Sequence, residues 1–62
     1  RSEMLQEARK AEKETIDRYK QRKQQAEELG LTELVVKLED LISDETHHME
    51  ELDRLLMDPV FQ

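Results

Sequence analysis

The sequence predicts an all-α fold: an antiparallel two-helix hairpin that pairs with a second hairpin into a four-helix bundle. Three observations carry that prediction. Apolar residues recur at helical spacing over two long stretches. One short break, LGLTEL (29–34), separates the stretches. Only 35% of the 62 residues are hydrophobic and 42% are charged, with one Gly and one Pro. That balance suits long helices that build a core by association. A chain this short buries only about 60% of its unfolded surface and is marginal alone. A homodimer or higher homo-oligomer is therefore the expected state.

The first helix is expected over about residues 3–29. Leu5, Ala8, Ile16, Tyr19 and Ala26 fall within about 40° of Glu12 when residues are placed 100° apart. Gly30 stands where a helix-ending C′ residue is wanted. Thr32 is the expected N-cap of the next helix, with Glu33 in its first turn, so the turn is placed at 30–32. The second helix is expected over about 33–57. Leu34, Leu38, Leu41, Met49, Leu52 and Leu56 cluster there within a similar arc around Glu45. Pro59 in DPVF (58–61) ends it, leaving a tail over 58–62. So short a turn makes the helices antiparallel neighbours, and residues 1–62 form a single hairpin domain. The chain opens at Arg1 and not at Met, so residues are allowed for upstream.

Composition removes several classes of function. With no Cys, disulfides and thiolate metal sites are excluded. No apolar run approaches the roughly 18 residues of a membrane span, and no signal-peptide pattern is visible, which makes a soluble cytoplasmic protein the expectation. The net charge of −6 argues against nucleic acid and anionic membrane as partners. Residues 1–29 carry eight Lys and Arg against seven Asp and Glu, whereas residues 32–58 carry two against nine. The second half is thus a cation-attracting surface. The basic run RYKQRKQQ (18–25) reads as a solvated face with Tyr19 turned inward. Val36, Val60 and Phe61 are candidates for contacts beyond a dimer.

Glu12 and Glu45 interrupt the centres of otherwise apolar stripes, and carboxylates are rarely buried unless paired or metal-bound. Glu45 and His48 form a Glu-x-x-His pair, whose i, i+3 side chains project from one face. Carboxylates and an imidazole without thiolate suit iron, manganese or zinc. One hairpin supplies three strong ligands, and two hairpins supply four carboxylates and two histidines. That is the ligand set of di-iron carboxylate bundles. His48 falls at the inner edge of its stripe, and His47 on the far side, as a bystander. Asp44 is a candidate to accept the second ring N–H of His48. Reflecting Glu45 through the turn lands near Ile16, which leaves an axial gap of about 6 Å from Glu12. The competing reading makes Glu12 and Glu45 polar core residues that fix the register of a metal-free structural hairpin. Tyr19 is equally well a packed core residue with a bonded hydroxyl. Met4, Met49 and Met57 read as gap-filling side chains, not haem ligands.

AEKETIDRY (11–19) and LEDLISDETHHMEEL (38–52) resemble the ferritin-like superfamily, especially its rubrerythrin-type and bacterioferritin-type di-iron domains. Glu12 precedes Tyr19 by seven residues and Glu45 by 33, as in those domains. The resemblance implies Glu12, Glu45 and His48 as iron ligands and catalytic residues, with Tyr19 the aromatic residue near the metals. It implies two irons per bundle and ferroxidase activity in iron storage or detoxification. A rubrerythrin-like peroxide reductase is the alternative, needing a rubredoxin-type electron donor elsewhere. The chain departs from the family in carrying one helix pair instead of two. In this it is similar to two-helix encapsulated ferritins, which implies a site assembled across a homodimer, an encapsulating shell and a location inside a protein nanocompartment. The other expectation from the half-length is that the second pair belongs to a longer chain.

Overall fold

A computed structural model describes residues 2–61. Arg1 and Gln62 lie outside the described residues, as do the side chains of Ser2 and Phe61, so the expected contact through Phe61 and the end of the 58–62 tail are not placed. Helix α1 spans Ser2–Glu28 and helix α2 spans Thr32–Met57. A 3-10 turn over Pro59–Phe61 follows. The two helices pack against each other as an antiparallel hairpin, with extents of 47 × 14 × 10 Å. Among the described residues there is no strand, and no helix is long and apolar enough to cross a membrane.

The turn is built on Gly30. Its φ of +72° lies in the left-handed region that L side chains avoid. The Gly30 amide donates to the Glu27 carbonyl at 3.1 Å and the Leu31 amide to the Ala26 carbonyl at 2.9 Å. These are the two bonds of a Schellman motif, which satisfies the carbonyls left over at the end of α1. The reversal is so tight that α2 starts one residue earlier than expected. Leu31 is its N-cap, with no side-chain cap bond, and Val35 donates to the Leu31 carbonyl at 3.0 Å. The expected cap, Thr32, is instead the first helical residue. Its amide is already committed to Gly30 O at 3.1 Å, so its hydroxyl stands inside the first turn and not ahead of it. At the other end Asp58 caps α2, its amide bonding to Leu55 O at 3.2 Å. Its carboxylate accepts from the Val60 amide at 2.9 Å, which organises the turn at Pro59.

Among the described residues only Ile16, Ala26 and Leu38 are buried. Two helices make a single contact face, so the flanks of each stripe remain half-covered, among them Leu5, Tyr19, Leu41, Met49, Leu52 and Leu56. Ala8 and Leu34, expected within the stripes, are exposed. Two inter-helix pairs of Arg or Lys with a carboxylate, among the described residues, set the register: Arg9 with Asp53, and Lys23 with Glu39 at 3.7 Å. Each joins residues equidistant from Leu31, which makes that residue the pivot of the hairpin.

Candidate metal centre

The register determines how Glu12 meets α2. With Leu31 as pivot, Glu12 stands level with Glu50. His48 is then displaced by about 3 Å along the axis and Glu45 by about 7.5 Å, at 1.5 Å per residue. The axial gap between the two carboxylates is therefore real, and His48 occupies it. The His48 Nδ1 lies 3.9 Å from Glu12 Oε2 and 3.6 Å from Glu45 Oε1. One donor atom from each of Glu12, Glu45 and His48 falls within 4.8 Å of the others. The three side chains span the offset because each carboxylate sits on a flexible stem and the imidazole lies between them.

The electrostatics of the cluster are unbalanced. The Glu12 and Glu45 side chains are 27% and 21% exposed. Among the described residues neither forms an ion pair with Lys or Arg, and the imidazole of His48 is the one basic side chain near both. Arg9, one turn from Glu12, is engaged with Asp53. The Glu12 Oε2 is buried without a hydrogen-bond partner, a condition that ordinarily costs about 1–3 kcal/mol or more for a charged group. His48 Nδ1 is too distant from either carboxylate for a hydrogen bond. An orphaned carboxylate oxygen facing a second carboxylate and an imidazole is a donor set that a divalent cation satisfies. Atoms 3.6 to 4.8 Å apart lie roughly 2.1–2.8 Å from a common centre, which overlaps the bond lengths of about 2.0–2.2 Å for carboxylate and imidazole ligands. The residues fit a metal ion.

The remaining candidates fall as follows. His48 was expected to face inward, yet its side chain is 61% exposed. Asp53 and Glu39, which reach α1, lie about 80° and 120° to one side of Glu45, whereas His48 lies about 60° to the other. A single α1 helix covers the first flank and leaves the second open. His47 stands on the outer face, its Nδ1 3.6 Å from Glu50 Oε1, in a shallow hollow shared with Glu51 and Arg54. Asp44 is exposed and makes no hydrogen bond to His48 among the described residues. Tyr19 is half-buried two turns from Glu12, and Glu14 is exposed on the surface. Sequence reading passed over the Arg9–Asp53 pair. Its signal was a cation and an acid on the stripe flanks at matching distance from the pivot, visible only once the pivot is known.

The family model described as Ferritin-like domain matches residues 2–59. No curated protein and no solved structure matches the chain.

Proposed function

The chain belongs to the ferritin-like domain family, whose members commonly bind iron and include oxidoreductases, and on that footing we propose that it oxidises Fe(II) at a site assembled between two hairpins. The observation that carries this reading is the convergence of Glu12, Glu45 and His48 donor atoms within 4.8 Å, with Glu12 Oε2 left orphaned. Two hairpins contribute four carboxylates, whose charge balances two divalent ions. A half-site of two carboxylates and one imidazole already balances one.

Fe(II) is the substrate, and two ions pass one electron each to dioxygen, which takes up two protons to leave Fe(III) and hydrogen peroxide. The chain contributes binding and orientation. Glu12 and Glu45 supply negative charge where a cation must lose its water shell, which makes binding stronger than at a solvated acid. The neutral imidazole of His48 supplies a directional nitrogen donor at the rim, where its 61% exposure gives access from solvent. The half-buried Tyr19, Leu41 and Leu52 lie on the same helical stripes as the carboxylates and would lower the local dielectric. The activity serves iron detoxification or loading. Manganese or zinc would compete for the same donors.

The test is anaerobic Fe(II) titration by native mass spectrometry, followed by dioxygen uptake. Wild type is expected to bind one Fe(II) per hairpin and to consume dioxygen. Glu45→Ala and His48→Ala should each lower Fe(II) affinity by at least the roughly ten- to hundredfold that losing even an outer-shell partner of a ligand costs. His47→Ala should behave as wild type. A wild-type dimer that takes up no Fe(II) sinks the reading.

A further inference from the structure

Glu12 has a cation within reach that it does not use. Arg9 precedes it by one turn on α1, and side chains three residues apart on a helix are neighbours. A glutamate leaning toward the helix N-terminus, as helical side chains commonly do, lies over the turn that carries Arg9. The Glu12 carboxylate instead meets His48 at 3.9 Å, which stands on the far side of it from Arg9 along the axis. Its Oε2 is left buried without a hydrogen-bond partner, although a guanidinium would satisfy it.

The Arg9 guanidinium is held elsewhere. Its Nε donates to Asp53 Oδ1 across the helix pair, and Asp53 stands level with Arg9 about the Leu31 pivot. Lys13, next to Glu12 in sequence, is likewise taken, by Asp17 at 3.5 Å. The cations of α2, Lys37 and Arg54, lie eight and nine residues from Glu45, and Arg54 pairs with Glu51. Among the described residues Arg9 is thus the Lys or Arg that comes within a turn of the metal ligands and faces α2. Without Asp53 its choice of partner lies between Glu12 and Glu50. Glu50 is exposed and sits about 60° further round α2 than Asp53, away from α1. The Glu12 side chain is only 27% exposed, and a partly buried pair is the stronger one.

We propose that Asp53 is a positioning residue for the metal site: it holds the Arg9 guanidinium away from Glu12, so that the carboxylate faces His48 and Glu45 with its charge uncompensated. The inference rests on the proposed binding of Fe(II) by Glu12, Glu45 and His48, and adds a residue outside that donor set that keeps Glu12 free. Loss of the Asp53 charge releases Arg9 to pair with Glu12, and a metal ion must then displace it to bind. The competing account makes Arg9 and Asp53 a clamp between the helices with no bearing on the charge of the site. Both side chains are half-exposed, and pairs so placed add little to stability. The Gly30 turn and the Lys23–Glu39 pair remain to hold the register without it. The two accounts part on Arg9, which is harmful once Asp53 is gone if it is sequestered, and useful throughout if it is a clamp.

The test is anaerobic Fe(II) titration of the full chain by native mass spectrometry. Asp53→Asn should lower Fe(II) affinity on the order of tenfold, as much as an adjacent guanidinium commonly favours the charged form of a carboxylate. Adding Arg9→Met to Asp53→Asn should restore most of that loss, and Arg9→Met alone should bind no more weakly than wild type. Glu50→Gln removes an acid level with Glu12 without freeing a Lys or Arg, so it reads the effect of charge alone and should cost much less. Urea unfolding of the metal-free protein reads the same contact without iron. Glu12→Gln should raise the midpoint of wild type, where a buried charge lacks a partner, and lower that of Asp53→Asn, where Arg9 pairs with it. Circular dichroism checks that each variant is helical. If Asp53→Asn is not, Arg9→Met decides, since a clamp predicts weaker Fe(II) binding from its loss.

A loss in Asp53→Asn that exceeds the loss in Glu50→Gln, its recovery with Arg9→Met and the reversed effect of Glu12→Gln support the inference. Wild-type affinity in Asp53→Asn, an equal loss in Glu50→Gln, or equal losses in Arg9→Met and Asp53→Asn overturn it, while Fe(II) uptake by wild type leaves the site reading standing. If wild type binds no Fe(II), the site reading fails and the urea midpoints judge Arg9 by themselves. A reversal then supports its release from Asp53 to Glu12, and an effect of one sign in both backgrounds overturns it.

Discussion

Glu12 is the residue at which stability and function part company. Its Oε2 is buried and unpartnered, and its neighbours are another carboxylate and a partly exposed imidazole. In the metal-free protein this is a net cost, because desolvation is not repaid by a hydrogen bond or a full ion pair. Replacing it with a leucine of similar reach removes that cost and extends the apolar stripe toward Ile16. Glu12→Leu is therefore expected to stabilise the metal-free protein by about 1–2 kcal/mol in urea unfolding, and to abolish the stabilisation that Fe(II) gives wild type. Unchanged or lower stability of the metal-free variant would mean that the carboxylate is satisfied in solution. The polar breaks at Glu12 and Glu45 were legible in the sequence because each sits at the centre of an apolar arc. The exposure of His48 was not. Periodicity locates a residue on its own helix but says nothing about which flank the neighbouring helix covers, and α1 covers the flank bearing Asp53 and Glu39.

At the scale of elements, the turn does most to set the geometry of the site. Shifting the pivot by one residue would move Glu12 by about 3 Å relative to His48, which is comparable with a ligand bond. The pivot depends on Gly30 holding φ +72° while Ala26 and Glu27 carbonyls receive the two closing amides. A Cβ built on Gly30 meets nothing within 4 Å, so substitution is penalised through the backbone alone. Gly30→Ala is expected to cost about 1–2 kcal/mol, seen as a lower denaturant midpoint with an unchanged m-value. A larger loss would indicate that the turn rearranges, and Fe(II) affinity should then fall with it. Gly30 was recognisable as a helix terminator from its place after the last apolar residue of α1. Thr32 was a reasonable cap by type, yet the Schellman closure leaves no extended residue between the helices for it to cap from. Caps depend on backbone conformation at one position, and composition does not reveal it.

For the whole molecule, three buried side chains among the described residues make a small core, and pairing of hairpins is the proposed way of enlarging it. The charge distribution opposes such pairing: two basic against nine acidic residues over 32–58 disfavour bringing two such segments together without counter-charge. In the proposed paired assembly two demands would oppose each other, since burying apolar surface draws the copies together and gathering four carboxylates in one site holds them apart. Divalent cations would relieve the second demand without weakening the first, so the proposed assembly predicts that association and metal binding are thermodynamically linked. The thermal midpoint should rise with protein concentration, because folding and association share one transition. Anaerobic Fe(II) at about a hundred times its dissociation constant should add about 2.7 kcal/mol, which for so small a domain is a shift of roughly 10–20 °C. A chelator should reverse that shift and lower the sedimentation coefficient together. Calorimetric scans at two protein concentrations, with and without Fe(II), separate the contributions. A midpoint independent of both concentration and Fe(II) would show a hairpin stable by itself, with its flank and its carboxylates serving some other partner.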